Sequence, residues 1–381
     1  MNYGVRVQSA RGAECASGRV PVVSYWEWER MARRKLPLFA FDYVAGGAGG
    51  ESTIRANRRS FEQWKIVPRL MSGVSDRKLT VELFGRTYPF PIGLAPTASQ
   101  GLFHGMGEVA TAKAAAALGI PFILSTSSSY SIEEVASTGA PRWFQLYPGN
   151  DRDVMFSLVS RAEKAGYTAI VFTPDRPEIG WRERNIRNCL STYIGPYASG
   201  NLRSDPVVRK KYGEPLASQA ALALITNPGV TAADMQFVRS ITRLPLLVKG
   251  VLHPEDAETS IRFGADGLIV SNHGGRHVDG AIAALEALPS VAMAVGSRVP
   301  VLFDSGIRHG ADLFKALALG AKMAFIGRPY VYGLAVSGEI GVRTVAENLL
   351  ADFDLNLGNS GIRYAAQLHK THLVRSVCES P

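Results

Sequence analysis

The chain has 381 residues, of which 46% are apolar and 20% charged, with a net charge of +9; that is length enough for a large core in one big domain or two smaller ones. No apolar stretch approaches the roughly eighteen residues of a membrane span, and Lys and Arg are scattered among acids, so the positive excess reads as a preference for anionic ligands with no nucleic-acid footprint. Cys15, Cys189 and Cys378 lie far apart without a CxxC pair, which argues against a disulfide framework or zinc site and for a reducing, cytoplasmic setting.

Residues 1–23 carry several arginines but lack the apolar core of a secretory signal, and are expected to form a flexible tail, with an organellar transit peptide as the alternative. Residues 24–90 read as an N-terminal helical segment that includes the glycine cluster AGGAGG at 45–50. A repeated design follows: KAAAALGIPFILS (113–125), RAEKAGYTAIVFT (161–173), SIRFGADGLIVS (260–271) and FKALALGAKMAFIG (314–327). Each joins a helical end to a glycine suited to a left-handed helix terminus, then to a continuous apolar run. Unalternating runs of this kind are strands buried on both faces, as in parallel sheets. FPIGLAP (90–96), PRWFQLY (141–147), LPLLVKG (244–250) and VPVLFDSG (299–306) supply four more.

Eight βα units over about 90–335 predict an α/β fold of the (β/α)8 TIM-barrel type. A doubly wound open sheet is the alternative, disfavoured because no GxGxxG turn follows the first strand. Residues 186–230 form an insertion after the fourth strand with weak periodicity, expected to be a mobile lid. The main domain is read as 24–365, and 366–381 as a C-terminal tail.

In such a barrel the chemistry sits at the carboxyl ends of the strands. Polar or turn-forming residues gather there: Pro96, Thr97 and Ala98; Ser125; Gln145 and Tyr147; Thr173 and Asp175; Lys249; Ser271, His273 and Arg276; Asp304, Ser305, Gly306, Ile307 and Arg308; Gly327 and Arg328. Lys249 reads either as a snorkelling strand-end lysine or as a fixed cation facing the mouth, suited to developing negative charge. DSGIR and IGRP, after strands seven and eight, read either as surface turns or as the phosphate-binding corner of the barrel. Within SNHGGR (271–276), a neutral His273 can remove a proton and Arg276 can bind a carboxylate through two hydrogen bonds. Asp175 is placed to orient that imidazole, and a satisfied core histidine is the generic alternative. Metal ligation is unattractive, since no second histidine has ligand spacing and His277 is expected to point elsewhere.

SNHGGR, DSGIRHGADLFKALALGA and IGRP together resemble the FMN-dependent α-hydroxy acid oxidase and dehydrogenase family, over about residues 24–360. YVAGGAGGESTIRAN, IGWRERN and VLHPEDA are similar to its lactate 2-monooxygenase branch, and STSSSYSIEEVA to mandelate dehydrogenase. The resemblance implies His273 as base with Asp175 as partner, Arg276 and Arg182 on the substrate carboxylate with Tyr43 assisting, and Tyr147 on the substrate hydroxyl. It implies Lys249 near the flavin, with Pro96, Thr97, Ala98, Ser125, Gln145, Thr173 and Ser271 around the ring and ribityl chain. Asp304, Ser305, Gly306, Ile307, Arg308, Gly327 and Arg328 would hold the ribityl chain and phosphate.

The implied activity is FMN-dependent oxidation of a small L-2-hydroxy acid to the 2-keto acid. Oxygen is the expected acceptor, and oxidative decarboxylation is included as in lactate 2-monooxygenase. A mandelate-type dehydrogenase with another acceptor, and a non-redox FMN- or phosphate-binding isomerase or lyase, are the alternatives. A homo-oligomer, in the tetrameric form common in the family, is implied, without metal, nucleic acid or membrane. Two departures stand out. TPDRP places Pro174 and Arg176 beside Asp175, and Arg176 either widens anion recognition or points into solvent. Ser127 lies in the neighbourhood where glycolate oxidase carries a tryptophan just after its second strand, leaving room for a bulkier substrate side chain.

Overall fold

Eight short parallel strands close on themselves: β1 (Ile92–Leu94), β2 (Phe122–Ser125), β3 (Arg142–Leu146), β4 (Ile170–Phe172), β5 (Leu246–Val251), β6 (Gly267–Val270), β7 (Val301–Phe303) and β8 (Ala324–Ile326). The ring is completed by β8 on β1, with Ala324 opposite Ile92 and Ile326 opposite Leu94. This computed structural model of the chain describes residues 2–18, 20–190 and 195–376. All eight apolar runs of the sequence are strands, and Gly119, Gly166, Gly264 and Gly320 all take the expected positive φ between helix and strand.

Alternation along each strand sorts the core into two layers. Ile123, Trp143, Val171, Leu247, Ile269, Leu302 and Phe325 fill the barrel interior, while Phe122, Leu124, Phe144, Leu146, Ile170 and Phe172 face the surrounding helices. Gly93 belongs to the inner layer because a Cβ there would lie 2.4 Å from the Phe325 ring. A hairpin of Val81–Leu83 and Arg86–Tyr88 plugs the amino end. Its Tyr88 hydroxyl accepts from Trp143 Nε1 at 3.3 Å, and Phe84 packs edge-on to the same indole. The carboxyl end is left for the site.

The N-terminal segment is helical as expected over Tyr25–Lys35, Leu38–Ala45 and Ser52–Glu62, the first opened by a Ser24/Glu27 capping box. Its second half differs, holding strand Trp64–Ile66 and the plug hairpin.

Three expectations are corrected. The flexible tail expected at 1–23 is corrected over residues 2–18: Tyr3–Ala16 is a helix docked on the last helical stretch, Arg328–Asn359, which is broken by a kink at Ser337 and Gly338. Gly4 N–H donates to buried Asp354 at 2.7 Å, and Arg11 pairs with Glu347 at 2.8 Å. The close approach needs glycine, since a Cβ on Gly4 would sit 2.6 Å from the Ala351 carbonyl oxygen. Residues 366–381 are not merely a tail either: Leu373–Arg375 pairs antiparallel with Trp64–Ile66, while 377–381, with Cys378, lie outside the described residues.

The expected lid at 186–230 is largely docked instead. Asn201 donates to the Ser125 and Thr126 carbonyls at 3.0 and 3.2 Å, and Asp205, itself buried, takes Arg161 at 3.0 Å and Ser157 at 2.8 Å. The Asn201 amide nitrogen and the Asp205 carboxylate can be buried on the barrel flank because each has a partner. Residues 191–194 of that insertion lie outside the described residues. Arg176 and Arg182, just upstream, line the mouth.

Candidate active site

A cleft opens at the carboxyl end of the barrel. Tyr43 lines it from the N-terminal segment; Pro96, Thr97 and Ala98 follow β1, and Tyr147 follows β3. Arg182 comes from the chain after β4, Lys249 from β5, and His273 and Arg276 from the loop after β6. Asp304, Ser305, Gly306, Ile307 and Arg308 follow β7, and Gly327 and Arg328 follow β8. Ser125, Gln145, Thr173, Ser271 and Asp175 stand behind this surface. Ser125 Oγ accepts from the Ser127 amide at 3.2 Å and Thr173 Oγ1 donates to the Val171 carbonyl at 3.1 Å.

The loop after β6 is wound tightly. His273, Gly274 and Gly275 have φ of +55°, +66° and +75°, a conformation costly for histidine. It is held by the His273 amide donating to Ser271 Oγ at 3.0 Å and the Gly274 amide to Ser305 Oγ at 3.1 Å. The AGGAGG cluster closes over it: Ala48 N–H donates to the Gly275 carbonyl at 2.9 Å, and a Cβ on Gly47 would meet that same oxygen at 2.7 Å.

This winding aims the imidazole. Its Nδ1 lies 2.9 Å from the Asp175 carboxylate, and its Nε2 lies 3.4 Å from the Tyr147 hydroxyl. Burial, followed by the positive charges of Lys249, Arg182, Arg276 and Arg176, holds the His273 pKa well below its ordinary 6.5. The ring is therefore neutral at pH 7, as a proton acceptor must be.

Lys249 is only 3% exposed and sits 3.0 Å from Ser271 Oγ, 3.4 Å from Asp304 and 3.8 Å from Asp175. Burial works to lower its pKa, but the Asp304 and Asp175 carboxylates outweigh that and raise it, so the ammonium stays charged. Arg276 Nη1 donates to the carbonyls of Tyr43 at 2.7 Å and Gly46 at 2.9 Å, with its guanidinium 5.1 Å over the Tyr43 ring. Arg328 donates to the Val44, Gly274 and Gly46 carbonyls, each at 3.0 Å, so it also fastens the glycine cluster to the loop after β6. Burial and then neighbouring arginines bring both Arg276 and Arg328 down to about 10, and burial lowers Arg182. Cations crowded this closely, with few acids opposite, form a site for anions.

The donor set fits FMN. Gln145, on β3, buries both its amide nitrogen and its amide oxygen without a partner among the described residues, matching a heterocycle edge that both donates and accepts. Gly327 opens the helix Arg328–Asn359, where amides and the helix dipole favour a phosphate, with Arg308 alongside.

Two side chains were not placed here by the sequence. His277 does not point elsewhere: its ring is 4.2 Å from that of His273, nearly perpendicular, and both of its nitrogens are buried without a partner among the described residues. Donor atoms of Asp175, His273 and His277 lie within 4.8 Å of one another, yet Lys249, Arg176 and Arg182 surround them and oppose a dication. The HxxxH spacing was the available signal. Arg176 lines the cleft with its guanidinium 4.7 Å over the Tyr147 ring, so it does not simply point into solvent.

A family model described as FMN-dependent dehydrogenase matches residues 32–375. L-lactate oxidase of Lysinibacillus sphaericus (strain C3-41) is 41% identical over 359 residues, covering 93% of this chain and 93% of that protein. Glycolate oxidase of Spinacia oleracea is 40% identical over 349 residues, covering 91% and 94% respectively. Among solved structures, a mandelate oxidase crystal structure superposes with a TM-score of 0.84 at 38% identity, covering 94% of this chain and 99% of that one.

Proposed function

The chain belongs to the FMN-dependent dehydrogenase family, and from that premise we propose that it oxidises an L-2-hydroxy acid to the 2-keto acid with oxygen as the final acceptor. The observation that carries the reading is a neutral His273 held on Asp175, with Arg276 and Arg182 beside it. Bound FMN would accept the hydride equivalent, the α-hydrogen with its two electrons, that the substrate gives up.

The protein's part is to bind, orient and move a proton. Arg276 is anchored through Nη1, and its other N–H groups have no protein partner among the described residues, leaving them for the substrate carboxylate. Arg182, whose Nε donates to the Arg276 carbonyl at 3.3 Å, adds a second donor. Tyr147 hydrogen-bonds the substrate hydroxyl, and His273 takes its proton at Nε2. Asp175 then faces an imidazolium at 2.9 Å and stabilises it. Lys249 places a charged ammonium where negative charge grows, and Arg308 with Gly327 and Arg328 holds the phosphate.

Purified protein should be yellow, and its flavin absorbance should bleach when an L-2-hydroxy acid is added without oxygen. A colourless protein, or a flavin that no hydroxy acid bleaches, would instead favour a non-redox barrel. Measuring peroxide and carbon dioxide together separates simple oxidation from oxidative decarboxylation. A cytoplasmic site of action is supported by the free, exposed Cys15 and Cys189. Among the described residues no helix is long and apolar enough to cross a membrane. A homotetramer completes the proposal; sedimentation tests it.

A further inference from the structure

Three guanidinium groups, those of Arg176, Arg182 and Arg276, reach the same cleft, whereas one carboxylate is satisfied by one or two. Arg276 is tied to backbone carbonyls and Arg182 to the Arg276 carbonyl. Arg176 is different. It makes no ion pair among the described residues, and its Nε is buried without a partner. It stacks on Tyr147, on β3's side of the mouth, while Arg276 stacks on Tyr43 of the N-terminal segment. The two guanidinium groups therefore stand on different walls.

Charge gives a second, independent reason. Lys249 and five arginines line the cleft against Asp304, with Asp175 beneath His273, which is a surplus of four positive charges. A cofactor phosphate brings about two negative charges, and a substrate α-carboxylate brings one more. One cation is left over. A buried N–H without a partner is costly, and a methyl group in its place would leave that cost standing.

We infer that the substrate is a 2-hydroxydicarboxylic acid whose distal carboxylate is bound by Arg176. This rests on the oxidase reading of the same site and names its substrate class. Sites built to bond a polar group discriminate strongly against analogues lacking it. Because Arg176 is only half-buried, the expected preference is about tenfold to a hundredfold, below the extreme that full burial gives.

The test compares L-lactate, L-malate and L-2-hydroxyglutarate in anaerobic bleaching of the holoenzyme, with wild type, Arg176→Gln and Arg176→Lys. Calorimetry of pyruvate against 2-oxoglutarate binding adds a readout that needs no turnover. At least one diacid should exceed lactate about tenfold in kcat/KM, and 2-oxoglutarate should bind tighter than pyruvate. Arg176→Gln should collapse both ratios about tenfold or more, and Arg176→Lys should restore part of each. Lactate preferred by wild type, or ratios unmoved in Arg176→Gln, overturns the inference. Equal weakening of both acids would make Arg176 a third ligand of the α-carboxylate and overturns it too. If no acid bleaches the flavin, the oxidase reading fails, and the keto-acid binding ratio still decides the role of Arg176.

Discussion

His273 Nδ1 meets the Asp175 carboxylate at 2.9 Å across the barrel mouth, joining the loop after β6 to the loop after β4. A carboxylate in this position fixes the ring so that Nε2 is free to accept a proton. His273→Gln should keep the yellow colour and lose anaerobic bleaching by several orders of magnitude. Asp175→Asn, which keeps the shape but not the charge, should lose on the order of 10³ to 10⁴ in the bleaching rate constant. Near-normal bleaching in either variant removes the base assignment.

Acid should weaken the fold through the histidines. Burial holds His273 and His277 well below 6.5, and His104 is lowered for the same reason. Below pH 6.5 the unfolded chain takes up protons that the folded chain refuses, so stability falls as pH falls toward the folded pKa values. The slope is on the order of 1 kcal/mol per histidine per pH unit. Denaturant midpoints between pH 7 and 5 should show this decline, and His277→Gln should flatten it. Burial raises Glu108 to about 7, which works in the opposite direction over this range, so an unchanged slope in His277→Gln is the result that would contradict the assignment.

Lys249→Met removes the cation between Asp304 and Asp175. Bleaching should slow by about 10², and unfolding should become easier by about 3 to 5 kcal/mol, because buried Asp304 and half-buried Asp175 lose a partner. Rapid-mixing kinetics and urea titration measure the two effects separately.

The N-terminal helix should contribute to stability. Asp354, 1% exposed, accepts from Arg77 Nε at 2.7 Å and Nη2 at 2.8 Å and from the Gly4 amide at 2.7 Å. Asp354→Ala should cost about 3 to 5 kcal/mol in urea unfolding, since it strands a buried guanidinium. Equal midpoints in variant and wild type would show the helix to be ornamental to stability.

The barrel was legible in the sequence because parallel strands are wet on neither face, so each appears as an unbroken apolar run. The helices between them end on glycines that only a left-handed turn explains. The principal site residues were legible because they cluster in short stretches next to those runs. His277 was not, and the reason is geometric. Three consecutive left-handed residues at 273–275 curl the backbone so that residue 277 returns beside 273, and no periodicity encodes that. Arg176 was left between two directions because the stacking partner that fixes it, Tyr147, is supplied by another βα unit. The helix Tyr3–Ala16 was hidden because Gly4 is its one fully buried residue, giving no apolar stripe to read.

The pairing of β8 with β1 has a consequence for biosynthesis. A chain emerging from the ribosome exposes β1 early, yet its outer edge waits for Ala324–Ile326, and Tyr3–Ala16 waits longer for the helix that ends at Asn359. Until then the nascent polypeptide has an open sheet, an unfinished cleft and a helix without its berth. Prosthetic-group capture therefore belongs to the last moments of synthesis or to the time after release, and a stop codon anywhere before residue 324 leaves nothing that can turn yellow.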